Sequence, residues 1–232
     1  MDLLDRLQFF SVLDGIALAA IAAAWLLIGH AIENPAARRP SVSFLMRAYR
    51  HEWMRAFVTR QPRVYDMITL TNLRQGTSFF ASTCLIAIGG GLALIGNTEK
   101  LLGLAQDLSL DDAPELIWEA KILLILLFLA NALFKFIWAH RLFGYCAVVM
   151  GAAPNEDTPH AYIRAAQAAE IANSAARSFN RGLRAIYFAL GAAAWFLGPV
   201  ALLGATAATV LILWRREFAS NSRNVLLETP PT

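Results

Sequence analysis

The segment from Glu115 to Met150 limits the fold more than any other part of this chain. It holds the longest apolar run, Ile122 to Ala130, which continues through Leu133, Phe134, Phe136, Ile137 and Trp138. No Gly or Pro interrupts it before Gly144. As a helix rising about 1.5 Å per residue, it is longer than the hydrocarbon core of a bilayer is thick, about 30 Å. Acidic residues crowd its start (Asp111, Asp112, Glu115, Glu119), and His140 and Arg141 mark its far end.

Three further blocks are long enough to cross as helices. The four expected spans are residues 9–32, 77–96, 115–140 and 185–214. They account for a composition that is 57% hydrophobic, above the roughly 45–50% of a soluble domain. The first block is long, lacks a basic start and is followed by Ile32-Glu33-Asn34-Pro35, so it reads as a span rather than a cleaved signal. Its Gly15, Ala19, Ala22 and Ala23 form a small-residue face, a feature that lets helices approach in lipid and suggests self-association. Gly89-Gly90-Gly91 in the second block predicts tight helix contact for the same reason. Gly198-Pro199 sits at the middle of the last block. That block fits one long, proline-kinked helix or a re-entrant hairpin turning at Gly198-Pro199.

Between the first two spans lies a basic loop with Arg38, Arg39, Arg47, Arg50, Arg55, Arg60, Arg63 and Arg74. Within it, Leu45, Tyr49, Trp53 and Phe57 recur every four residues, opposite Arg47, His51 and Arg55. This predicts an amphipathic helix over residues 41–60, with aromatics in the headgroup boundary and arginines on phosphate. A second amphipathic helix is expected over 159–183, started by Thr158 and Pro159. It is rich in alanine and suited to packing on protein. Residues 97–119 are acidic, with a short interfacial helix expected from Leu101 to Leu108 and a helix start at Asp112 or Ala113. Residues 221–232 read as a polar, disordered tail.

Lysine and arginine bias places the basic loops on the cytoplasmic side and the amino terminus outside. A single last crossing would then strand Arg215, Arg216 and Arg223 outside, which is the best argument for the hairpin; a short translocated tail tolerates a few charges, so the single kinked crossing stays the first expectation. The net charge of +3 reflects these loops and anionic lipid rather than nucleic acid.

Ionisable residues at membrane depth are candidate sites. Asp14 is positioned to bind a cation or to pair with Lys121, or else to be wetted by headgroups. Asn131 and Lys135 are four apart and share one helix face, as a polar path or with Lys135 snorkelling to the interface. On the inner face, Arg47 and Arg55, with the stripe Glu170, Asn173, Arg177, Asn180 and Arg184, suit an anionic headgroup or partner; a solvated face is the alternative. His30 and His140 sit at span ends, as haem or metal ligands or as ordinary anchors. His51-Glu52 starts a zincin-like motif, but Arg55 stands where its second histidine belongs. Cys84 and Cys146 make no zinc or disulfide pattern.

Several short stretches together resemble a known family. These are Gly29-His30, Thr71-Asn72-Leu73-Arg74, Tyr187-Phe188-Ala189-Leu190, Trp195-Phe196-Leu197-Gly198-Pro199 and Arg216-Glu217-Phe218. Over about residues 10 to 220 the chain resembles the domain of unknown function 599 family. The resemblance implies an integral membrane protein, here of a bacterial inner membrane, and no assigned activity, cofactor or site residue.

The expected fold is therefore an all-α membrane protein with four transmembrane helices and two cytoplasmic-face amphipathic helices. The expected function is a non-enzymatic membrane component, without cofactor or metal, that contacts lipid, a membrane protein partner or its own copies. A small-solute or ion transporter is the alternative, and a membrane haem protein a distant one.

Overall fold

The computed structural model describes residues 10–97, 103 and 115–228. The regular structure among these is helical. The helices are α1 (Val12–Glu33), α2 (Val42–Thr59), α3 (Val64–Ile95), α4 (Glu115–Gly151) and α5 (Pro159–Ala193). A 3-10 turn (Ala194–Leu197) leads to α6 (Pro199–Phe218) and α7 (Asn221–Leu227). Four helical segments are long and apolar enough to cross a membrane: Val12–Glu33, Val64–Ile95, Leu116–Gly151 and Pro199–Leu227. Apart from Gly103, which is helical, residues 98–114, with the expected short helix and the helix start at Asp112 or Ala113, lie outside the described residues.

The helix boundaries differ from the sequence reading in four places. α3 runs from Val64, so the helical stretch expected at Tyr65 to Gln75 and the span expected from 77 are one unbroken helix; nothing after Pro62 breaks it. α4 runs on to Gly151, past His140. α5 does not stop at 183 but continues to Ala193, taking the first part of the last apolar block. Finally, residues 221–227 are helical, with the Ser220 hydroxyl capping the Arg223 N–H.

The last apolar block is a hairpin and not one kinked crossing. Gly198 has φ +102° and ψ 170°, a region that essentially only glycine occupies. Its N–H closes back on the Trp195 carbonyl at 2.9 Å. Beyond the turn, α6 runs back along α5. A Cβ on Gly191 would lie 3.0 Å from Thr209 Oγ1 and 3.7 Å from the Ala205 carbonyl oxygen, so the two backbones meet closely there. Positions 191 and 205 flank Gly198 symmetrically, as an antiparallel pair requires.

By its contacts the chain divides into two compact units. The first takes the described residues of Met1–Gly29, Thr83–Ala132 and Leu183–Trp214. Its core is Trp118, Ile122 and Leu126 with Ile88, Ile95, Leu129 and Phe196. Phe128 joins it to α1 and α5 through ring contacts with Trp25 and Phe188. Of the glycine triplet, only Gly91 makes the close approach: a Cβ there would strike Leu126 at 2.6 Å, whereas Gly89 and Gly90 have nothing within 4 Å.

The second unit takes the described residues of His30–Ser82, Leu133–Gly182 and Arg215–Thr232. Its core joins Met54, Phe57 and Val58 of α2 to Leu70 of α3 and Phe143, Cys146 and Met150 of α4. A face of alanines on α5 (161, 165, 168, 169, 172, 175) completes it. Alanine lets neighbouring backbones approach, and the Cys146 thiol donates to the Ala168 carbonyl at 3.4 Å. This corrects the expectation that α2 dips its aromatics into headgroups. Phe57 is 1% exposed, and Trp53 packs against the same core. The Trp53–Phe57 end of the stripe faces protein, while Tyr49 is 40% exposed; burying such a side chain contributes about 1.5–3 kcal/mol where water is the alternative.

Candidate functional site: the paired helices α2 and α5

Within the second unit, α2 and α5 lie antiparallel. Asn180 Nδ2 donates to Ser43 Oγ at 3.2 Å. Two turns along, Arg50 Nη1 donates to Asn173 Oδ1 at 3.4 Å. Next comes His51, whose Nε2 lies 3.0 Å from Glu170 Oε1. Farther on, Ala48, His51, Glu52 and Arg55 face Tyr162, Ala165 and Ala166 across an open cleft of about 400 Å³. The Asp157 carboxylate pushes the Tyr162 phenol above its usual range.

The Arg50–Asn173 contact is the electrostatically unusual point. Asn173 is 3% exposed. A guanidinium only donates, so Asn173 must present its oxygen to Arg50. Its Nδ2 then points elsewhere and is buried with no acceptor, a condition that costs about 1–3 kcal/mol. Burial pulls the Arg50 guanidinium below its usual range. The ion pairs of the described residues are His51–Glu170, Arg60–Asp66 and Arg181–Glu33, so Arg50, Arg47 and Arg177 have no carboxylate partner among them. Arg47 instead lies over the Phe44 ring at 5.5 Å, and Arg177 is exposed.

The edges of this pair are tied down. Ser41 caps α2 by accepting from the Phe44 N–H at 3.1 Å and donates to the Ile32 carbonyl at 2.7 Å. Glu217 of α6 accepts from the Ser43 N–H at 2.9 Å and from its hydroxyl at 2.8 Å. Arg181 forks onto Glu33, with Nε 2.8 Å from Oε1, and that carboxylate raises the arginine above its usual range. On α7, Arg223 Nε donates to the Pro40 carbonyl at 2.8 Å.

Other candidates fall elsewhere. In the first unit, Asp14 accepts from the Ser11 hydroxyl at 2.6 Å and from Trp195 Nε1 at 2.7 Å. Lys121 acts on it through its charge and lies over the Trp118 ring at 4.6 Å. Arg184, 7% exposed, sits against Gly29. Asn131 is half-buried in the first unit and Lys135 half-buried in the second, so the pair falls across the two. In the second unit, His30 meets Asn34 at 3.4 Å. His140 Nδ1 is 3.1 Å from Ser78 Oγ and 3.3 Å from the Arg74 carbonyl, with Arg74 Nη2 3.5 Å from its Nε2. Among the described residues, no group of three or more His, Cys, Asp or Glu is arranged to hold a metal.

Ser43, Arg50, Arg181 and Glu217 are the contributors that sequence reasoning passed over. A signal existed: Ser43 and Arg50 are seven apart on α2, and Asn173 and Asn180 are seven apart on α5. Two turns on each helix bring both pairs into register.

The motif residues of the sequence also acquire structural roles. Trp195 holds Asp14, Gly198 makes the hairpin turn, Arg74 meets His140 and Glu217 caps α2. The model of the family described as Protein of unknown function, DUF599, matches residues 16–222. Among curated proteins and solved structures, nothing matches the chain. The match spans most of the polypeptide, and the chain belongs to the DUF599 family of proteins of unknown function.

Proposed function

We propose that this chain is a non-enzymatic, multi-pass component of the bacterial inner membrane that binds anionic lipid or a partner complex through α2 and α5 on the cytoplasmic side. The observation that carries this reading is the charge of the two units. The second unit contains sixteen basic and eight acidic residues, and the first contains four basic and nine acidic. Positive charge stays on the cytoplasmic side of a membrane and attracts anionic headgroups. The hairpin supports the same orientation, because Arg215, Arg216 and Arg223 fall in the basic unit. Counting α5 as a fifth crossing puts the amino terminus outside and the carboxyl terminus inside. In the first unit, Ala185, Phe188, Ala189 and Ala192 of α5 are buried against protein, so this crossing needs less apolar surface of its own.

Affinity purification from native membranes, with mass spectrometry of co-eluting lipids and proteins, tests this reading. Enrichment of an anionic lipid or a protein partner, reduced by Arg47→Ala with Arg55→Ala, supports it. Recovery of nothing beyond bulk lipid contradicts it. A second reading, small-solute or ion transport, draws on the Asp14–Lys121 neighbourhood in the first unit. Proteoliposome flux that is abolished by Asp14→Asn would favour transport instead.

A further inference from the structure

We infer that Arg47, Arg50 and Arg177, with Asn173 holding Arg50 in place, form a binding site for a phosphate group, carried either by a lipid headgroup or by a small soluble ligand. This rests on the proposal that α2 and α5 are the binding surface, and it names the chemistry they recognise.

Three observations converge. First, Asn173 is 3% exposed and gives its amide oxygen to Arg50, so a buried side chain holds that guanidinium in place. Second, Arg50 is partly buried and its one hydrogen bond to a described residue is to Asn173. A neutral amide oxygen does not balance a buried cation, which calls for an anion. Third, the antiparallel register set by Ser43–Asn180 and Arg50–Asn173 puts Arg47 level with Arg177. Arg47 lies one turn from Arg50, and Arg177 one turn from Asn173.

The neighbouring acids are already engaged. Both carboxylate oxygens of Glu217 accept from Ser43, Glu170 pairs with His51 and Glu33 pairs with Arg181. Three guanidinium groups therefore remain for a single ligand. Arginine forks match the oxygens of a phosphate.

The test uses the full chain in nanodiscs at constant ionic strength, with thermal unfolding as the readout. One arm adds inorganic phosphate, against chloride, to phosphatidylcholine discs. The other compares phosphatidylglycerol with phosphatidylcholine discs in phosphate-free buffer. A stabilising shift in the first arm assigns a soluble phosphate ligand, and one in the second alone assigns a headgroup. Arg177→Gln, at an exposed position that leaves the core intact, should weaken the response about tenfold or more. Asn173→Asp places a carboxylate beside Arg50. It should raise the unfolding temperature without ligand and remove the response to phosphate and to lipid. No shift in either arm with the unmodified chain overturns the site. So does a shift that Arg177→Gln and Asn173→Asp both leave unchanged. A partner protein retained from native membranes alongside such a result would leave the wider reading standing.

Discussion

Glu217 and Ser43 are 174 residues apart in sequence, and their side chains form the joint that closes the second unit. The glutamate accepts from the backbone N–H and the hydroxyl of Ser43 in the first turn of α2. A carboxylate there satisfies an otherwise open N–H and complements the helix dipole. Glu217→Ala should therefore destabilise the protein by about 1–2 kcal/mol. Thermal unfolding in detergent should show a lowered midpoint. An unchanged midpoint would mean that the cap contributes nothing.

Asp66 carries the largest expected loss. It is fully buried, accepts from Trp53 Nε1 at 2.7 Å and pairs with Arg60. Removing one partner of a buried pair costs about 3–5 kcal/mol. Asp66→Ala should unfold or strongly destabilise the protein, whereas Arg60→Lys, which keeps a positive charge, should have the smaller effect. Tryptophan fluorescence should change with Asp66→Ala, because Trp53 loses its acceptor.

Gly198 should resist substitution. At φ +102° and ψ 170° a side chain is strained, and the expected loss for Gly198→Ala is about 1–3 kcal/mol. Gly204, on the same hairpin, has nothing within 4 Å of an added Cβ. Gly204→Ala should therefore be neutral or slightly stabilising, since glycine inside a helix is unfavourable by about 1 kcal/mol. Equal losses at both positions would argue against the turn.

These residues also show where sequence reasoning succeeds. The run from Ile122 to Ala130 could only be a buried or lipid-facing helix, and α4 follows. Gly198-Pro199 announced a break. It allowed a reversal without deciding for one over a kinked crossing, because the helix that packs beside α6 is the alanine-rich α5, whose hydropathy is low. Hydropathy measures what faces lipid, and α5 packs on protein, so it carries no such signal. α2 illustrates the same limit. An apolar stripe looks alike whether it meets acyl chains or, as Met54 and Phe57 do, other side chains. At the candidate site, the polar stripe on α5 was visible from its spacing. Its partners Ser43 and Arg50 were not, because which helix faces α5 is a tertiary fact.

The sidedness of α2 and α7 bears most directly on the whole account. In a variant with Cys84 and Cys146 replaced, single cysteines at His51, Leu197 and Ser222 can be probed in intact cells with a membrane-impermeant maleimide. All three positions are exposed. The account expects Leu197→Cys to label from the periplasm, and His51→Cys and Ser222→Cys to label only after the membrane is permeabilised. Labelling of Ser222→Cys from outside while His51→Cys stays protected would contradict it.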